Sequence, residues 1–175
     1  MSEQLENIID FTLMYNQYKR HLFNYTLKMV NDRLTCEDII QNVFLKLFEN
    51  LNRIRNKQSI QYWLFSTVRN EIFSYYRKKK IRIDQFGSDD ADEMEIESPN
   101  KIENDFDNNE MKELILNELN KMGIDQREVF LLKEYGGLSY KEIAEVMNID
   151  EELVKSRLFK TRQKLIKKLS KIVLE

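Results

Sequence analysis

The sequence predicts an all-α protein: two small helical domains joined by a flexible acidic linker. Three observations predict it. Apolar residues recur at three- and four-residue spacing, with no competing alternation. The 175 residues include only one proline and four glycines. One central stretch is far more acidic than the sequence on either side of it. A hydrophobic content of 42% supplies material for real cores, and the length suits one ordinary domain or two small ones.

Before the acidic stretch the periodicity predicts three main helices. The first covers Leu5 to Met29. The second starts after Thr35, a residue suited to an N-cap, and repeats Ile40, Val43, Phe44, Leu47 and Leu51 on one face. The third runs from Ser59 to Lys80, with Ile60, Trp63, Leu64, Val68, Ile72 and Tyr76 at helical spacing and Arg69, Asn70, Ser74 and Arg77 opposite. Trp63 lies on the apolar stripe and is expected in the core. Of Tyr75 and Tyr76, one is expected in the core and the other exposed.

Four shorter helices follow. Met111, Leu114, Ile115, Leu119 and Met122 form the first stripe, before Gly123. Asp125 with Glu128 resembles a capping box, opening a helix through Phe130, Leu131 and Tyr135 that ends at Gly136 and Gly137. Ser139 with Glu142 fits the S-x-x-E box and opens the third helix, which carries Ile143, Ala144 and Met147. A turn at Asn148 and Ile149 leads to Asp150, the expected cap of the last helix.

A helix-turn-helix needs a small residue where its helices cross, a turn residue tolerant of positive φ, and an apolar residue locking the second helix. Ala144, Asn148 and Val154 stand at those offsets. Val154, Leu158, Thr161 and Leu165 then point inward, leaving Lys155, Ser156, Phe159, Lys160 and Arg162 outward. Cations and hydroxyls there reach phosphates and base edges, and a phenyl ring meets a thymine methyl. Arg157 lies along the flank, where phosphate contact is expected. Lys167, Lys168 and Lys171 admit two readings, DNA contact or a solvated face complementing the helix dipole.

The net charge of -2 hides a segregated distribution. Between Asp84 and Glu110 eleven acids face Lys101 alone, so that segment carries -10 and the remainder +8. Leu153 to Leu174 holds eight cations and no acid, and Arg77 to Lys80 with Arg82 forms a second basic cluster. Two basic lobes suggest polyanion binding at two places. The acidic segment contains Pro99 and repels itself, and its length spans about 90 Å extended or about 30 Å as a relaxed coil.

Cys36 is the only cysteine and His21 the only histidine, which excludes an internal disulfide and a cysteine-based zinc site. No Gly-rich phosphate loop or nucleophile constellation marks an enzyme, and nothing calls for a cofactor. The N-terminus lacks the basic start and apolar run of a signal peptide, and no stretch is long enough to span a bilayer. A soluble, cytoplasmic protein without membrane insertion is the expectation.

The segment "DQREVFLLKEYGGLSYKEIAEVMNIDEELVKSRLFKTRQKL" resembles region 4 of bacterial sigma factors. "CEDIIQNVFLKLFENL", followed by "SIQYWLFSTVRNEIFSYYRKKK", resembles region 2. Both in this order, with little else, resemble the extracytoplasmic-function (ECF) group. The resemblance implies a transcription initiation factor that joins core RNA polymerase and reads the -10 and -35 promoter elements. It implies region 2 over 1–83 (polymerase binding, -10 recognition and melting), the acidic linker over 84–110, and region 4 over 111–175 (helix-turn-helix, -35 recognition).

By motif position, Asp38, Ile39, Gln41, Asn42, Phe44 and Leu47 are the implied contacts to the polymerase clamp helices. Asn42 stands where the family pattern D-x-x-Q-E-x-F has an acid. The -10 pocket falls on Asn70, beside the loop Ile54 to Ser59, with Arg69, Arg77 and Lys78 on phosphates. That loop lacks the glycine and aromatic common in the family. The -35 readers are Lys155, Ser156, Arg157, Phe159, Lys160 and Arg162, with lysine at 160 where arginine is frequent. The linker corresponds to a segment that threads the RNA exit path in the family, where its charge suits a mimic of nucleic acid, with a solvated spacer as the alternative reading; it is also expected to screen the basic lobes in the free chain. An anti-sigma factor is a candidate third partner after core polymerase and promoter DNA.

A stand-alone helix-turn-helix regulator is the main alternative, but its dimer interface or effector domain has no counterpart in the N-terminal half. A helical adaptor would explain the stripes but not the segregated cations.

Overall fold

A computed structural model describes residues 1–86 and 106–174 of the chain. Among them are seven α-helices, two short 3-10 turns and no strand. Three helices build one unit: α1 (Ser2–Val30), α2 (Arg33–Asn50) and α3 (Ile60–Phe86), with the turns Leu51–Arg53 and Lys57–Ser59 between the last two. Four build the other: α4 (Phe106–Asn120), α5 (Ile124–Glu134), α6 (Tyr140–Met147) and α7 (Glu151–Val173). Helix α3 and helix α4 therefore both run into the segment 84–110 that the sequence assigns to the linker. The rest of that segment, with Pro99 and most of its acids, lies outside the described residues.

In the first unit α1 packs on both α2 and α3, which also pack on each other. Leu22, Tyr25, Met29 and Val30 of α1 meet Cys36, Val43 and Leu47 of α2 and Ile60, Leu64, Phe65, Val68 and Ile72 of α3 in a buried core. Each large aliphatic side chain so withdrawn from water contributes about 1.5–3 kcal/mol. Phe65, which the predicted stripe omits, lies beside Tyr25 with ring centroids 6.1 Å apart. Trp63 is only half-buried rather than a core residue. It lies one position before Leu64, on the rim of the buried stripe. Nor do Tyr75 and Tyr76 divide as expected: both are half-buried, and the Tyr76 hydroxyl donates to the Met29 carbonyl at the end of α1.

The α1–α2 turn is made by two residues. Asn31 takes the left-handed conformation at φ 54° and donates its N–H to the Leu27 carbonyl across 2.8 Å, a conformation asparagine tolerates better than most residues. Asp32, not Thr35, then caps α2, its carboxylate accepting from the Thr35 N–H at 3.1 Å and from the Thr35 hydroxyl. Thr35 is the third helical residue, so its hydroxyl serves the cap instead of being it.

In the second unit α7 packs on α4, α5 and α6. Its buried residues, Val154, Leu158, Thr161 and Leu165, are the four expected to point inward. The Asp125–Glu128 box does not form. Gly123 is the N-cap of α5 without a side-chain bond, so Asp125 falls inside the first turn, and Glu128 is buried. The second box does form: Glu142 donates its N–H to Ser139 Oγ at 3.2 Å, and the Ser139 N–H donates to Glu142 Oε2 at 2.7 Å. Helix α6 ends on Asn148 at φ 53°, and the Ile149 N–H returns to the Ala144 carbonyl at 3.0 Å. Asp150 occupies the N-cap of α7 with no side-chain bond.

Candidate nucleic-acid interface

The capping box fixes where α6 begins and left-handed Asn148 fixes where it ends. These two local choices, with Val154 and Leu158 buried behind them, set which face of α7 looks outward. Lys155, Phe159 and Lys160 are exposed on it and Ser156 is half-buried. Phe159 is 64% exposed, which leaves its ring available to an apolar partner surface.

Acids hold several of the cations. Lys155 lies 3.3 Å from Glu152 and 3.7 Å from Glu151, and its hydrogen bond to Glu152, with the charge of both acids, raises its pKa. Arg157 lies on the flank as expected, half-buried and 3.6 Å from Asp125. Arg162 donates to Glu134 at 2.8 Å; that bond, opposed by desolvation and helped by Tyr140, raises its pKa. Lys160 forms no ion pair among the described residues. The acids at 151 and 152 are readable from helical spacing to Lys155. Glu134 and Asp125 are not, being far from their partners in sequence.

On α3, Arg69, Asn70 and Arg77 face away from the buried stripe of Leu64, Val68 and Ile72, with Asn70 and Arg77 exposed. Lys78, also exposed, is turned about 100° from Arg77 by the helical period. The Arg69 guanidinium lies 4.7 Å from the centre of the Phe73 ring, a cation–π contact. Tyr62, absent from the predicted set, is 49% exposed and falls on the Arg69 side, two turns earlier. The missed signal was an aromatic residue at helical spacing on the polar face.

On α2, Asp38, Gln41 and Asn42 are exposed, whereas Ile39, Phe44 and Leu47 are buried. The first three can be reached by a partner; the other three hold the helix in its bundle. Beside them opens an apolar groove of about 430 Å³ between α1 and α2, where Phe11, Tyr15 and Phe44 meet exposed Leu45 and Phe48. Phe11 and Phe48 lie 5.3 Å apart, and Tyr15 and Phe44 4.7 Å, both edge to face. Leu45 and Phe48 lie in the same stretch of sequence but are not among the motif positions.

Among the described residues no group of histidine, cysteine and acidic side chains could hold a metal ion, and no helix is long and apolar enough to cross a membrane.

A three-helix bundle and a helix-turn-helix unit with a cationic second helix define a helical DNA-binding transcription protein. Residues 14–81 match the family model of Sigma-70 region 2, and residues 112–165 match that of Sigma-70, region 4. The chain is 28% identical over 152 residues to the ECF RNA polymerase sigma factor SigM of Bacillus subtilis (strain 168), covering 87% of this chain and 90% of that one. It is 30% identical over 155 residues to the RNA polymerase sigma factor SigZ of the same strain, covering 87% and 82%. The fold is shared with the sigma factor RpoE of Bartonella quintana, solved in complex with the anti-sigma factor NepR. That likeness has a TM-score of 0.72 at 24% identity and covers 92% of this chain and 97% of that one. The chain belongs to the sigma factors of bacterial RNA polymerase, in the ECF group. It is a promoter-directing factor.

Proposed function

We propose that the chain works as a two-handed promoter reader on core RNA polymerase, with region 2 within 1–83 and region 4 within 111–175. The carrying observation is the outward face of α7, where Lys155, Ser156, Phe159 and Lys160 stand opposite the buried Val154, Leu158, Thr161 and Leu165. A helix so presented enters the major groove with its N-terminal residues against base edges. Phe159 meets a thymine methyl, Ser156 and Lys160 hydrogen-bond to bases or phosphates, and Arg157 and Arg162 contact the backbone.

At the other hand Asn70 receives an unstacked base of the -10 element. Arg69, Arg77 and Lys78 hold the strand through its phosphates, and Tyr62 adds a stacking surface. The clamp of the polymerase takes Asp38, Gln41 and Asn42, and Leu45 and Phe48 extend that contact into apolar surface. Ile39, Phe44 and Leu47 serve it by positioning the helix. The protein acts in the cytoplasm, catalyses no reaction itself and is a candidate for capture by an anti-sigma factor, as RpoE is by NepR.

Purified chain added to sigma-free core polymerase on fragmented genomic DNA tests this reading. Discrete transcript starts sharing upstream elements are expected. Specific duplex binding by the chain alone, with no binding to active core, would overturn it in favour of a stand-alone regulator.

A further inference from the structure

Beyond the outward face of α7, the helix carries cations that the promoter reading leaves without a task. Lys164, Lys167, Lys168 and Lys171 line a cleft of about 490 Å³ with Lys121, in the turn that follows α4, and Gly123 at the cap of α5. Glu118, the only acid on its wall among the described residues, is mostly buried and already bonded to Lys121 at 2.7 Å. Lys164 donates to Gln126 at 3.0 Å, and Lys167, Lys168 and Lys171 form no ion pair among the described residues.

Such a cluster is unfavourable by itself. Lysines at 164, 167, 168 and 171 are like-charged neighbours at three- and four-residue spacing, which destabilises a helix. The helix dipole does not answer for them, because its effect fades within the last turn, and of the four only Lys171 lies there.

These lysines also continue a line. Arg157, Lys160, Lys164, Lys167 with Lys168, and Lys171 succeed one another along one flank, over about 21 Å of helix. The stripe starts at the promoter-reading end of α7 and leads into the cleft. Gly123 keeps the cleft floor open without being required by the backbone. Its φ of -56° suits any residue, and a Cβ added there would meet nothing within 4 Å.

We infer that this cleft and stripe form a second, sequence-independent contact of region 4 with duplex DNA, gripping the phosphate backbone next to the site that α7 reads. Lysine suits such a contact as a strongly hydrated point charge on a flexible stem, holding phosphates without choosing among bases. The inference rests on region 4 being a DNA-binding unit. It adds that the length of α7 beyond Arg162 contributes affinity and salt dependence but no sequence choice.

The test compares the full chain with a variant carrying Lys164→Gln, Lys167→Gln, Lys168→Gln and Lys171→Gln, and separately with Gly123→Glu. Binding to a labelled random-sequence 30-bp duplex is followed by anisotropy across a salt series. Each phosphate contact contributes about 0.9 to the slope of log affinity against log salt, so the quadruple variant should lose at least about 2 from that slope. Gly123→Glu, which sets a carboxylate in open space, should weaken binding at low salt while circular dichroism shows the helices still formed at the assay temperature. Unchanged slopes, no duplex binding by the wild type, or a loss seen only with single-stranded RNA would each overturn the inference. Transcript starts with core polymerase form a separate arm. Should the wild type direct none, the promoter reading fails, while the slopes still decide the cleft.

Discussion

Arg162 of α7 donates through Nη2 to Glu134 Oε1 at 2.8 Å, tying the recognition helix to the end of α5. Both side chains are nearly half exposed, so the pair is worth only about 0.2–1 kcal/mol. On the proposed reading its larger effect is on binding, because the carboxylate would compete with a DNA phosphate for the same guanidinium. Glu134→Gln should tighten duplex binding, by up to about fivefold if the whole pair energy is released. Anisotropy with promoter duplex measures this, and weaker binding would mean that Glu134 instead holds Arg162 in its DNA-competent pose.

Ser139→Ala removes one half of the capping box at the start of α6. A loss of about 1 kcal/mol is expected, lowering the melting temperature of a unit this size by about 4–8 °C. Because the box sets where α6 starts, promoter-directed transcription should fall with stability near the melting point and recover at low temperature. Unaltered melting by circular dichroism would show that the cap is dispensable.

Asp32 links folding of the first unit to pH. The Thr35 side chain, ahead of the backbone N–H groups and the charge of Lys79, lowers its pKa, while desolvation works the other way. A carboxylate with a folded pKa below its unfolded one stabilises the fold fully above the unfolded value, and that stability is lost as pH falls through the folded pKa. Asp32→Ala should therefore cost about 1 kcal/mol at neutral pH and flatten stability against pH in the acid range. Denaturant midpoints of both proteins from pH 7 downward decide it; parallel curves would remove the assignment.

Burial pushes the Cys36 thiol up to about 12, and its sulfur lies 3.6 Å from the Phe23 carbonyl. Since the thiolate is the reactive species, iodoacetamide at pH 8 should modify the native chain at least about a hundredfold more slowly than the denatured one. Rapid labelling of folded protein would show that α2 opens locally.

The legibility of the sequence followed the range of the interaction. The Ser139–Glu142 box, the turn at Asn148 and the inward set of α7 involve residues within a turn or two, so spacing alone identifies them. The α2 cap was misplaced because Thr35 and Asp32 are both good capping residues three positions apart, and the helix takes the earlier one. Asp125 and Glu128 have the right spacing for a box, but Gly123 begins the helix first. Glu134 with Arg162, Asp125 with Arg157, and the groove at Leu45 and Phe48 arise only when distant segments fold together. Motif position marked Ile39, Phe44 and Leu47 beside Asp38, Gln41 and Asn42, although burial separates the two sets.

Trp63, the sole tryptophan of the chain, lies half-buried in α3 and belongs to the first unit. Indole fluorescence thus reports one half of the molecule, while far-ultraviolet ellipticity sums the helices of both. Recorded together through a denaturant titration, the two signals separate the unfolding of the three-helix unit from that of the helix-turn-helix unit. A single unlabelled sample is then enough to ask whether they melt as one.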